Sequence, residues 1–205
     1  SSGTIEQYLS KNGEVMPTSI AEKVFTDING VEQGMIIKGE DTSKPVLLFL
    51  SGGPGITEYF LAKKYPTGIE ADFVVCYWDY RGTSLSYSAD ITEETMTTEQ
   101  YISDAIAVTN YLRERFGQEK IYLIGQSFGT FIGVQVAAQA PRLYNAYIAM
   151  SQIADQVTSE RLAYSYMLDQ YRAAGNTSMV KKFEKHPVLE SDEALQEYLN
   201  SSLRD

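Results

Sequence analysis

A sharp bend is written into residues 121–130. Ile121, Tyr122, Leu123 and Ile124 form a short apolar run that meets Gly125-Gln126-Ser127-Phe128-Gly129. An apolar, alanine-rich run follows from Phe131 to Ala140. The order reads as strand, tight turn, helix. It fits the G-x-S-x-G elbow, in which a serine hydroxyl stands exposed on a strained turn. Side chains at 125 and 129 would crowd the place where strand and helix nearly touch, so glycine is required there. The helix start behind Ser127 offers free backbone N–H groups and a positive dipole end, both suited to a developing oxyanion.

The flanking sequence alternates in the same way. Glu22 to Asn29 and Val31 to Lys38 predict a hairpin around Asn29-Gly30, because both turn positions tolerate positive φ. Val46 to Leu50 and Phe73 to Trp78 are continuous apolar runs, as strands covered on both faces require. Residues 4–12 predict a short helix ended by Gly13, and Glu58 to Tyr65 another. Thr97-Thr98-Glu99-Gln100 reads as a capping box. It opens a helix with Ile102, Ala105, Ile106, Thr109, Leu112 and Phe116 on one face and Gly117 at its end. Leu143 to Met150 is a further strand. The pattern from 46 to 150 predicts an α/β fold with a mostly parallel sheet, preceded by an antiparallel N-terminal hairpin. Beyond residue 151 the spacing of Val157, Tyr164, Leu168 and Tyr171 is helical. Met179 to Lys185 predicts a short helix, and Ser191 caps a last one carrying Leu195, Tyr198, Leu199 and Leu203. The division expected is a core over 1–151 and a helical appendage over 152–205.

Composition excludes more than it selects. A net charge of −10 argues against nucleic acid or an anionic membrane as partner. No run of about 18 apolar residues predicts a transmembrane span. No signal peptide is read at the start, and Ser1-Ser2-Gly3 reads as a cloning remnant or a cut point. The compartment stays open, with the cytoplasm favoured. Cys76 is the single cysteine and His186 the single histidine, so no intrachain disulfide and no His/Cys metal site are expected. No cofactor is called for, and Cys76 reads as a small core residue.

In an open parallel sheet, sites form at the carboxyl ends of the strands. Four segments fall there: Ser51-Gly52-Gly53-Pro54-Gly55, Asp79 to Ser86, Ser127 and Ser151. The glycine loop is either an ordinary tight turn or a close backbone approach to a ligand. Asp79 and Arg81 are either a catalytic pair or groups that bind loop backbone and shape the pocket wall.

Three motifs stand in fixed order: S-G-G-P-G at 51–55, D-Y-R-G-T-S-L-S at 79–86 and G-Q-S-F-G-T at 125–130. Together they resemble the α/β-hydrolase fold and, within it, the proline iminopeptidase family of serine peptidases. That family shows H-G-G-P-G, D-x-R-G-x-G-x-S and G-G-S-W-G-S. The resemblance covers about residues 20 to 150. It implies Ser127 as nucleophile and the backbone N–H groups of Phe128 and Gly53 as the oxyanion hole. Gly52, Pro54, Gly55, Asp79, Arg81 and Gln126 would shape the pocket. Ser51 replaces a histidine of the pattern, Ser84 and Gln126 replace glycines, and Phe128 replaces a tryptophan. None of these removes a catalytic atom, but Gln126 and Phe128 alter the pocket. Residues 155–205 resemble the start of a helical cap, where that family reads a free amino terminus with acidic residues.

A serine nucleophile needs a base and a group to orient it, in the chain order Ser, Asp or Glu, His. His186 sits in Glu184-Lys185-His186-Pro187, between predicted helices. It either completes a formal triad with Asp155 or Asp169, or is an exposed loop histidine. The fold supplies acid and base after two further strands, and none is predicted past residue 150. The C-terminal strands are therefore expected in a longer protein. The 143–150 strand edge is then expected to be covered by that half as another chain, by a swapped copy or by crystal neighbours. The resulting expectation is an aminopeptidase acting on short peptides with N-terminal proline or small apolar residues, with these 205 residues inactive alone. The alternatives are an ester or amide hydrolase of the same fold and a non-catalytic binding protein.

Overall fold

The computed structural model describes residues 3–203, so the reading of Ser1 and Ser2 lies outside the described residues. The chain divides into a unit that reaches Ile153 and a second that begins at Ala154. In the first, Ile20–Ile28 (β1) and Val31–Gly39 (β2) form the expected hairpin. Asn29 and Gly30 both take positive φ, 51° and 79°, which matches the twist of the flanking strands. Val46–Leu50 (β3), Val74–Trp78 (β4), Ile121–Gln126 (β5) and Tyr144–Met150 (β6) complete a six-stranded sheet in the order β1-β2-β4-β3-β5-β6. The pairs β1–β2 and β2–β4 are antiparallel and the rest are parallel.

Every residue of β3 and β4 is buried, because helices or loops cover both faces. Side chains alternate between the faces. Val46, Leu48, Leu50, Cys76 and Trp78 pack with Ala105, Val108 and Leu112 of α2 (Thr98–Phe116) and with Ile132 and Val136 of α3 (Phe128–Gln139). Leu47, Phe49, Val75 and Tyr77 pack on the other face with Tyr59 and Ala62 of α1 (Glu58–Lys64). Cys76 is fully buried beside Met35, and burial pushes its thiol up, as befits a core residue.

The second unit holds α4 (Gln156–Ala173), α5 (Thr177–Phe183) and α6 (Asp192–Leu199). Asp155, Asn176 and Ser191 cap them, each accepting an N–H three residues on. Tyr164, Leu168, Phe183, Val188, Leu195 and Tyr198 form its core.

Residues 4–12 are not helical. Leu9 bridges Val15 around a turn, with Gly13 at φ 80°. Leu9 and Val15 are 57% and 53% exposed, and Asn12-Gly13 favours the turn. The capping box is half formed. Thr97 accepts the Gln100 N–H, but the Gln100 amide donates to Asp104.

Asp104 is the polar centre of the first unit. It is wholly buried and accepts hydrogen bonds from Arg81, Gln33, Asn29 and Gln100. The Arg81 Nε–Asp104 Oδ2 distance is 2.9 Å, and Gln33 in turn accepts from the Trp78 indole. One carboxylate thus ties the hairpin, α2 and the loop after β4 together. At the far edge, β6 pairs with β5 on one side only. Asn145, Ala146, Ile148, Ala149 and Met150 are exposed there, and the strand carries no charged residue to discourage pairing.

Replacing Asp104 by alanine strands a buried guanidinium. We expect Asp104→Ala to cost about 3–5 kcal/mol in urea unfolding, and a loss below about 1 kcal/mol would contradict the role of this cluster.

Candidate active site

Ser127 joins β5 directly to α3, with φ 51° and ψ −118°. An L-residue rarely adopts that conformation, and holding it costs on the order of 1–3 kcal/mol. Backbone contacts hold it in place. The Ser127 N–H donates to the Met150 carbonyl at 3.0 Å. The Ser127 carbonyl accepts the Thr130 N–H at 2.8 Å and the Thr130 hydroxyl at 2.6 Å. The Thr130 oxygen also accepts the Ile153 N–H. Ser127 itself is half-buried, so its side chain is not sealed within the core.

The flanking glycines let three backbones meet. A Cβ on Gly125 would lie 2.5 Å from the Gly129 carbonyl oxygen. A Cβ on Gly129 would lie 1.9 Å from the Leu50 carbonyl oxygen and 2.9 Å from that of Ser51. The first turn of α3 therefore abuts the end of β3, and the loop leaving β3 comes beside the serine. A Cβ on Gly52 would lie 3.4 Å from Ser127 Cβ and 2.4 Å from Gln126 Oε1, so the Gln126 amide oxygen lies against this loop. Gly53 and Gly55 take φ 111° and 99°, and Gly53 and Pro54 are exposed. Among the described residues, neither the Gly53 N–H nor the Phe128 N–H has a hydrogen-bond acceptor in the chain. The Phe128 ring packs against Tyr80, Tyr101 and Phe131.

Asp79 and Arg81 do not pair. Asp79 is buried and accepts from the Leu85 N–H at 3.1 Å and the Thr57 hydroxyl at 3.3 Å. Burial pushes its carboxyl above the usual range, and those two hydrogen bonds oppose the shift. Arg81 is buried and directs its guanidinium to Asp104 and the Asn29 carbonyl. Of the two readings open in the sequence, the geometry leaves out the catalytic pair and keeps the binding of loop backbone. Ser84, where the family pattern has glycine, takes φ 41° and shares a 2.7 Å hydrogen bond with Thr57. A cavity of about 670 Å³ opens beside Asp79, Thr57, Ser84 and Tyr87, and Ser127 is not among its walls. Among the described residues no group of three or more His, Cys, Asp or Glu side chains could hold a metal.

His186 lies in the second unit and is half-buried, in contrast to an exposed loop position. Its Nδ1 is enclosed without a hydrogen bond and faces Glu197 Oε2 at 3.8 Å, because α6 packs over the segment before it. Asp155 is engaged as the cap of α4, and Asp169 pairs with Arg172. Neither contacts His186, so the formal triad is not assembled within this unit. Thr130 and Tyr80 went unnoticed in the sequence. Thr130 had a signal, a hydroxyl residue three positions after the serine, but Tyr80 had none beyond its place in the Asp79 motif.

Ser127→Gly should relieve the backbone and raise stability by about 1 kcal/mol, while Ser127→Ala should not. Gly129→Ala should cost about 3 kcal/mol or prevent folding, because the obstacle is backbone. Urea midpoints check both, and an unchanged midpoint for Gly129→Ala would contradict the close approach.

Comparisons place this geometry among known proteins. A family profile described as "alpha/beta hydrolase fold" matches residues 45–196. The chain is 34% identical over 176 residues to "Probable aminopeptidase YbaC" of Bacillus subtilis (strain 168), a match covering 85% of this chain and 55% of the relative. The chain thus spans about half the length of that curated relative. Among solved structures, a proline iminopeptidase-related protein of Thermus thermophilus shares a TM-score of 0.52 at 23% identity, over 63% of this chain and 44% of that one. An epoxide hydrolase of Vigna radiata gives 0.55 at 21% identity, over 66% and 41%. These two likenesses concern the fold alone. No helix among the described residues is long and apolar enough to cross a membrane. With a profile match over more than half its length, seated on the same strands and elbow, the chain belongs to the alpha/beta hydrolase fold family.

Proposed function

We propose that Ser127 is the nucleophile of a serine hydrolase, an aminopeptidase that releases N-terminal proline or small apolar residues from short peptides. The observation that carries this reading is the strained φ 51°, ψ −118° backbone of Ser127, together with the Phe128 and Gly53 N–H groups, which have no acceptor among the described residues. Natural chains retain such strain where it serves a site. The Bacillus relative, a probable aminopeptidase at 34% identity, supports the aminopeptidase reading.

In this reading the Ser127 Oγ attacks the carbonyl carbon of the scissile bond as a base takes its proton. The carbonyl oxygen gains the negative charge and accepts hydrogen bonds from the Phe128 and Gly53 N–H groups. The base then protonates the leaving amine, and water releases the acyl group from Ser127. The base and its acid lie outside these 205 residues. The exposed outer edge of β6, with Ile148 and Met150, supports docking of further strands that carry them. A second reading, an ester or amide hydrolase, draws support from the Phe128–Phe131 pair in the first turn of α3, whose rings lie 6.1 Å apart.

A fluorophosphonate probe should label the full-length protein, and Ser127→Ala should abolish labelling. No labelling would favour a binding protein. Turnover of a proline arylamide supports the aminopeptidase reading, whereas turnover of short aryl esters alone supports the alternative. The isolated 205 residues should lose activity by about 10⁶-fold, since both the base and its acid are absent.

A further inference from the structure

Tyr80 touches the Ser51 carbonyl in the glycine loop and the side chain of Phe128, the two segments that carry the proposed oxyanion donors. It is fully buried, and its hydroxyl donates to the Ser51 carbonyl at 3.0 Å. Its ring meets the Phe128 ring edge-on, with centroids 5.9 Å apart and planes at 85°. Trp78 and Tyr101 hold the same ring from other sides, at 4.8 and 5.4 Å.

The position has a mechanical consequence. The Ser51 carbonyl belongs to the peptide that precedes Gly52, and the next peptide carries the Gly53 N–H. Glycines at 52, 53 and 55 leave this loop with broad backbone freedom. Fixing the Ser51 carbonyl anchors the loop one peptide before the Gly53 N–H, whose own peptide is held at the Gly52 carbonyl by the Ile56 N–H at 3.3 Å. The contact with Phe128 braces the other donor, at the first residue of α3. Burial raises the phenol well above its ordinary value, so it remains a donor across the working pH range.

We infer that Tyr80 is a positioning residue, which holds the Gly53 and Phe128 N–H groups convergent on one point beside Ser127. The inference rests on the reading of Ser127 as nucleophile. It assigns Tyr80 no contact with substrate. Its hydroxyl acts through the glycine loop and its ring through Phe128.

The test uses the full-length protein, with active sites counted by fluorophosphonate titration. Tyr80→Phe should lower kcat per titrated site by about tenfold, with KM within about twofold, because the donors help mainly the transition state. A peptide boronic acid, whose tetrahedral adduct places an oxygen in the same hole, should bind Tyr80→Phe weaker by the same factor as kcat. Tyr101→Phe keeps the ring packing and should match wild type within about twofold in both readouts. A purely structural role for Tyr80 would lower the titre yet leave kcat per site and boronate affinity unchanged, and that result overturns the inference. Equal losses in Tyr80→Phe and Tyr101→Phe also overturn it. Should Tyr80→Phe not fold, Phe128→Leu removes the ring contact while keeping the N–H. A fall in kcat per site then supports the inference, and wild-type values overturn it. Absence of probe labelling in the wild type is a separate outcome, which removes the Ser127 reading and the role of Tyr80 with it.

Discussion

Everything at this site depends on how closely Gly129 approaches the Leu50 carbonyl. A methyl group on Gly129 would sit 1.9 Å from that oxygen, so the first turn of α3 and the end of β3 are in direct backbone contact. Ser127, two residues earlier, must turn from strand to helix in a single step. The strain in its φ and ψ follows from that geometry. The same contact places the glycine loop after β3 beside the serine. The cost of the conformation is offset locally by the Met150 carbonyl and by Thr130, which bonds the Ser127 carbonyl twice.

A strained turn needs a rigid support, and the sheet supplies one. β3 and β4 are buried on both faces, so the ends of these strands cannot shift without opening the core. The loops that leave them are tied down by polar groups rather than by packing alone. Asp104 gathers Arg81, Gln33, Asn29 and Gln100, while Asp79 holds the turn at Leu85 and the hydroxyl of Thr57. Tyr80 lies between these two anchors and reaches the Ser51 carbonyl. The proposed site therefore consists mostly of backbone, held in place by buried polar side chains.

Local signals in the sequence revealed much of this. Continuous apolar runs marked β3 and β4, and Asn29-Gly30 marked the hairpin. The glycines at 125 and 129 marked the elbow, although the strand runs on to Gln126 and α3 begins at Phe128 rather than Phe131. What escaped was set by contacts distant in sequence. Gln100 resembled the second half of a capping box, yet a buried carboxylate outcompetes the backbone for its amide. Arg81 stands two residues from Asp79 but pairs with Asp104, which α2 brings against the hairpin. Residues 4–12 read as a helix ended by Gly13, but the Leu9–Val15 bridge, formed with a residue beyond that glycine, turns the segment back on itself. His186 looked exposed because the packing of α6 over it depends on tertiary structure.

The central claim is that Ser127 and the Phe128 and Gly53 N–H groups enclose one oxyanion-sized point. A crystal structure of the full-length protein with a peptide boronic acid tests it most directly. The account predicts boron bonded to Ser127 Oγ and one boronate oxygen about 2.7–3.1 Å from both nitrogens. An adduct on another residue, or a Ser127 adduct whose oxygens all turn away from those nitrogens, would contradict it.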